Sequence, residues 1–152
     1  MKTNNEHLIL AYAMDELNNQ TLVDQSSNQF NAIVHGQLAV VNEDGRTGLK
    51  FSCENEGFIE LPKDILNTCE RFTAMCWIKP QEIKMWQRIF DFGPQHDQNF
   101  FFTLKGAAEA PMLSLHNGPL ERFGSAKQLE AGKWQHLAVT VDGNQSSILV
   151  NG

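Results

Sequence analysis

An antiparallel all-β domain, a sandwich or a barrel, is the fold class this sequence predicts. Three observations carry the prediction. Short runs rich in Val, Ile, Phe, Trp and Thr recur along the chain, separated by Gly, Asn, Asp and Pro turn signals. Two of these runs, Arg71–Lys79 and Trp134–Val141, alternate apolar and less apolar residues with the period of a strand. No segment shows the longer period of an amphipathic helix.

Taken in order, the candidate strands begin with His7–Met14, Ala32–His35 and Leu49–Cys53, then Gly57–Leu61 after a polar Glu54-Asn55-Glu56 turn. Pro62–Leu66 reads as a short helical turn. In Arg71–Lys79, residues Phe72, Ala74, Cys76 and Ile78 share one side, and Thr73, Met75, Trp77 and Lys79 the other. Gln87–Phe92, Asn99–Lys105 and Met112–His116 follow. In Trp134–Val141, Leu137, Val139 and Val141 form the apolar side, opposite Trp134, His136, Ala138 and Thr140. Each of these two alternating strands places a Trp on its outer side, and such a face needs partial cover. The clearest turns are Glu43-Asp44-Gly45, Asn117-Gly118-Pro119 and Asp142-Gly143-Asn144. The last of them joins Trp134–Val141 to Ser147–Val150 as a hairpin. Asn151-Gly152 is then a signal for a type I′ hairpin turn, which implies a further strand.

At 152 residues the chain suits one domain able to bury a core without disulfides. A net charge of −6, with no Lys or Arg cluster, argues against nucleic acid and for a neutral or cationic partner. No apolar run is long enough to span a bilayer. The first residues, MKTNNEHLILAYAMDEL, are too interrupted for a secretory signal, so the chain as written is expected in the cytoplasm, or outside the cell if cut from a secreted precursor. Cys53, Cys69 and Cys76 form no CxxC pair and are odd in number, which points to buried or half-buried free thiols. A Cys53–Cys69 bridge is the alternative.

Four stretches resemble the laminin-G-like jelly rolls of the concanavalin A-like lectin and glucanase superfamily. They are Leu10-Ala11-Tyr12-Ala13-Met14-Asp15-Glu16 with Asp24-Gln25-Ser26-Ser27-Asn28 and Asn31; Gly48-Leu49-Lys50-Phe51 running to Gly57-Phe58-Ile59-Glu60-Leu61-Pro62; Phe72-Thr73-Ala74-Met75-Cys76-Trp77-Ile78-Lys79-Pro80; and Gly132-Lys133-Trp134-Gln135-His136-Leu137-Ala138-Val139-Thr140-Val141-Asp142-Gly143 with Leu149-Val150-Asn151-Gly152. The resemblance implies an antiparallel jelly-roll β-sandwich over residues 1–152. In that family the closing V-N-G turn leads into further strands. The chain is therefore expected to be a C-terminally incomplete domain whose open edge is covered by a homo-oligomer or by strand exchange.

The fold alone does not choose a function, since it hosts lectins, adhesion domains and glucanases. The reading that fits best is a non-catalytic carbohydrate-binding module, associated with a larger carbohydrate-active protein. A structural or protein-interaction domain is the alternative, and a glycoside hydrolase is disfavoured. Hydrolysis needs two carboxylates roughly 5 to 10 Å apart, and Glu54, Glu56 and Glu60 read better as a solvated turn and a surface residue. Sugar binding needs an aromatic platform beside amides and charges. Trp86 and Arg88, with His96, Asp97 and Asn99 of the following loop, are the candidates. Neighbours alternate in Phe100-Phe101-Phe102, so either Phe101 or its flankers face outward, under a covering loop. His116 is an ordinary strand-end histidine, and His136 is placed to pack against an indole. Asp15 is the candidate metal ligand, because laminin-G-like domains often hold calcium near loop ends, and the remaining oxygens would come from other segments. Asn19-Gln20-Thr21 and Asn144-Gln145-Ser146 match the glycosylation triplet and decide nothing alone.

Overall fold

A computed structural model describes residues 7–67, 69–95, 98–117, 120–143 and 145–152. The chain forms two compact units, Met1–Thr68 and Cys69–Gly152. Every strand pairing in both is antiparallel, and among the described residues there is no α-helix. None is therefore long and apolar enough to cross a membrane.

The first unit holds β1 (Thr21–Leu22), β2 (Ala32–His35), β3 (Ala39–Glu43), β4 (Arg46–Lys50) and β5 (Phe58–Glu60). They form a sheet in the order β1-β2-β5 and a separate β3-β4 hairpin. Leu22, Ala32 and Val34 make its buried core, against which Tyr12, Leu38, Leu49 and Ile59 pack. The expected Glu43-Asp44-Gly45 turn closes the hairpin, with Asp44 at φ 53° and Gly45 at φ 75°. These are the signs a two-residue type I′ turn requires. Ser52 caps a single 3-10 turn, Cys53–Asn55, which Glu56 ends in the left-handed region. Glu54 and Glu56 thus belong to a turn, as their spacing suggested.

The apolar His7–Met14 segment joins no ladder, contrary to its strand-like composition. The next loop satisfies its backbone instead, through side chains and through the Gln25 N–H, which donates to the Ala11 carbonyl at 2.8 Å. The Asp24 carboxylate accepts from the N–H groups of Ala11 (2.8 Å), Ser26 (2.9 Å) and Phe30 (2.9 Å), and from the Ser26 hydroxyl (2.5 Å). Asn28 donates to the Leu8 and Ile9 carbonyls, and the Tyr12 hydroxyl donates to the Phe30 carbonyl. Burial by itself would raise the Asp24 pKa, but the hydrogen bonds from Ser26, Ala11 and Phe30 outweigh it and hold the carboxyl below its ordinary value. Burial, and then the Asp24 charge, push Tyr12 up to about 12.

The second unit holds β6 (Arg71–Ile78), β7 (Arg88–Gln95), β8 (Gln98–Thr103), β9 (Met112–Asn117), β10 (Leu120–Gly124), β11 (Gln135–Asp142) and β12 (Gln145–Val150). They form two sheets, β10-β9-β8-β7 and β12-β11-β6. The sheets face each other across one core of Phe102, Leu113, Leu137, Val139 and Val150, joined by Cys76, Ile78, Ile89, Phe90 and Phe100. The alternation read in β6 is the one observed: Phe72, Ala74, Cys76 and Ile78 turn inward, while Met75 and Trp77 are 65% and 49% exposed. The expected pairing of the last two strands forms, with Val139 opposite Ile148 and Leu137 opposite Val150. Asn151 and Gly152 both adopt positive φ, and the Asn151 side chain accepts from the His136 N–H at 2.9 Å. All three cysteines are free thiols, with Cys53 exposed where burial was expected.

Candidate functional site

The outer face of the β10-β9-β8-β7 sheet collects most of the chemistry anticipated around Trp86. Strand pairing puts partners on the same side of a sheet, so the register alone defines its rows. Asp91, Phe101, Ser114 and Arg122 form one row across all four strands. Asn99, His116 and Leu120 form the next, and Arg88, Thr103, Met112 and Gly124 flank the row on its other side.

Arg88 reaches this face because β7 is irregular. Arg88 pairs with Thr103 and Phe90 with Phe102, so two steps on β7 match one on β8, and Ile89 is the extra residue of a β-bulge. Without the bulge, Arg88 and Phe90 would share a face. With it, Ile89 and Phe90 both pack on the core while Arg88 and Asp91 both point outward. Arg88 Nε then sits 3.1 Å from Asp91 Oδ2, and its guanidinium carbon lies 3.6 Å from the centroid of the Phe101 ring. Phe101, 8% exposed, is the outward member of the Phe100-Phe101-Phe102 run, and the Arg88 guanidinium lies over its ring.

Trp86 stands beside this row, 40% exposed, with φ at 65°. A bulky residue in the left-handed region is strained and persists only where its surroundings enforce it. Here its N–H donates to the Lys105 carbonyl at 2.9 Å, and its own carbonyl accepts from Arg88 Nη1 at 3.2 Å. The Lys105 turn is in turn held by Thr103 Oγ1, which accepts from the Lys105 N–H. Arg122 places its guanidinium carbon 5.7 Å from the Trp86 ring centroid, within cation–π range.

Of the residues expected to bind ligand, Trp86, Arg88 and Asn99 therefore meet on one face, while His96 and Asp97 lie outside the described residues. Arg122, Asp91 and Ser114 were not anticipated. β10 has no β-branched residue, and a bulge cannot be read from alternation, so the sequence carried no signal for that row. His136 does pack against an indole, that of its β6 partner Trp77, at 5.3 Å between ring centroids. Glu60 pairs with His35 at 2.7 Å, and His35 stacks on Phe58 at 4.4 Å between centroids. Asp15 belongs to the first unit, where it is exposed and lines a shallow depression with Ala13, Met14, Glu16, Leu22, Val23 and Gln25. Among the described residues no group of three or more His, Cys, Asp or Glu is arranged to hold a metal ion.

Comparison with known proteins bears on the fold. A family model described as the concanavalin A-like lectin/glucanases superfamily matches residues 54–152, more than half of the chain. Among solved structures, the chain is similar to domain 4 of AbnA, a GH43 extracellular arabinanase from Geobacillus stearothermophilus, determined in complex with arabinotriose. The TM-score is 0.75 at 16% identity, covering 93% of this chain and 72% of that one. Among curated protein sequences none matches the chain.

Proposed function

Since the chain belongs to the concanavalin A-like lectin/glucanases superfamily, we propose that it is a non-catalytic carbohydrate-binding module that takes an oligosaccharide across the outer face of the β10-β9-β8-β7 sheet. One observation carries this reading: an indole held in a strained backbone conformation, 40% exposed, beside a row of polar and charged side chains. An aromatic ring meets the apolar face of a pyranose or furanose, and neighbouring amides and charges meet its hydroxyls. The fold likeness to a domain crystallised with arabinotriose supports a carbohydrate as the kind of ligand. The non-catalytic part of the reading rests on chemistry. Hydrolysis needs a second, free carboxylate, whereas Asp91, the carboxylate of this row, is engaged by Arg88.

The test is calorimetric titration of the chain with arabino-, xylo- and gluco-oligosaccharides, beside Trp86→Ala. Binding that falls at least about tenfold, about 1.4 kcal/mol, in a variant with an unchanged melting temperature is the expected result. If no oligosaccharide binds the folded chain, the carbohydrate reading is wrong.

A second reading has its own observation. The outer face of the β12-β11-β6 sheet presents Met75, Trp77 and Leu149, 65%, 49% and 38% exposed, around Ala138 and His136. Such a stripe suits a protein partner or a second copy of the chain. Sedimentation across a concentration series separates these two: self-association is expected to weaken in Met75→Lys if a second copy covers the stripe.

A further inference from the structure

The two arginines of the outer face differ in how much of their charge is already used. Arg88 is committed to the protein: it pairs with Asp91, covers Phe101 and hydrogen-bonds the Trp86 carbonyl. Arg122 is exposed, on edge strand β10, and among the described residues it forms no ion pair. Its guanidinium lies over the Trp86 ring. In the same row, directly opposite Arg122, the Ser114 hydroxyl is buried with no hydrogen-bond partner among the described residues. Among the described residues of these rows there are thus two guanidiniums against one carboxylate, which is already paired, on a chain whose net charge is −6. The overall charge argued for a neutral or cationic partner, and the local charge of this face runs the other way.

We infer that the site selects acidic saccharides, with Arg122 receiving the carboxylate of a uronic acid residue whose ring rests beside the Trp86 indole. This rests on the carbohydrate reading above and narrows it to a ligand class. A guanidinium presents parallel N–H donors that match a carboxylate bidentately. Held beside an aromatic ring it is also weakly hydrated, so pairing costs little desolvation. Arg88 acts as a positioning residue that fixes Trp86, and Arg122 discriminates by charge.

The experiment titrates the chain with a galacturonic acid trimer and with its neutral galactose counterpart, at low salt and at 0.5 M NaCl (roughly three times physiological ionic strength), for wild type, Arg122→Gln and Trp86→Ala. Wild type is expected to bind the acidic trimer at least about tenfold more tightly at low salt, with the preference shrinking at high salt. Arg122→Gln is expected to bind both trimers alike, and Trp86→Ala to lose both. Equal or tighter binding of the neutral trimer by wild type, or an acidic preference that survives in Arg122→Gln, overturns the inference and leaves the carbohydrate reading standing. Failure of wild type to bind either trimer or any neutral oligosaccharide overturns both.

Discussion

The guanidinium of Arg88 lies over the ring of Phe101, 3.6 Å from its centroid, while the same group pairs with Asp91. The contact joins a covered aromatic of β8 to the strained backbone of Trp86, because the other end of the fork bonds the Trp86 carbonyl. Arg88→Ala is expected to lower stability by about 1–2 kcal/mol, chiefly through the lost cation–π and carbonyl contacts. It should also weaken oligosaccharide binding although Arg88 itself has little charge to offer a ligand. Arg88→Lys should rescue neither property fully, because an ammonium lacks the planar fork that makes all three contacts. Urea denaturation and calorimetry on the two variants check both outcomes. Full binding by Arg88→Ala would remove its positioning role.

Asp24 makes the first unit sensitive to acid. Its folded pKa is below the ordinary 3.8, so the unfolded chain binds the proton more readily and stability rises with pH across that interval. The contribution is complete above the unfolded value and is lost as pH falls from about 5 through the depressed folded value. A urea midpoint measured from pH 7 to pH 2 should fall more steeply for wild type than for Asp24→Asn. The variant should be less stable at pH 7, by about 1–3 kcal/mol, since its amide cannot accept from all the N–H groups that meet the carboxylate. Parallel pH profiles for the two proteins would exclude this role.

The thiols should separate by reactivity. Burial pushes the Cys76 thiol up to about 11, whereas Cys53 is exposed. The thiolate is the reactive form, so at pH 8 iodoacetamide should modify Cys53 first and Cys76 only after unfolding. Peptide mass spectrometry over a time course reads the order. Early modification of Cys76 in the folded protein would contradict the packing of β6 against the core.

Gly93 is the glycine on which the β7–β8 hairpin depends. Its φ of 132° disfavours any side chain, and an added Cβ would come within 2.2 Å of the Gln98 carbonyl oxygen. Gly93→Ala is expected to cost about 1–3 kcal/mol and to weaken ligand binding through displaced Asn99, whereas Gly45→Ala, with open space around it, should cost less. Thermal melts of the pair provide the comparison.

Legibility in the sequence followed regularity. β2, β6 and the β11–β12 hairpin emerged nearly to the residue, because their alternation is backed by β-branched composition and strong turn residues. β1, β3 and β10 were missed: β1 spans two residues, and β10 is exposed along its whole length, leaving no core face to pattern it. His7–Met14 has strand composition but takes its hydrogen bonds from Asp24 and Asn28 side chains, a substitution that composition cannot reveal. At the site, Trp86, Arg88 and Asn99 were legible as chemistry near a loop. Their assembly into one face with Arg122 was not, since it follows from cross-strand register and from a bulge.

That bulge also bears on how such a surface could change over generations. Ile89 is the residue that β8 does not match, so losing its codon would restore a regular strand with Arg88 still outward and Phe90 still inward. The register upstream would hold, because Arg88 already stands opposite Thr103, the neighbour of Phe102; what would go is the local bend and added twist that a bulge gives its strand. A single deletion at this point thus works as a hinge adjustment, re-aiming the indole relative to Arg122 while leaving the ladder on both sides of it in place.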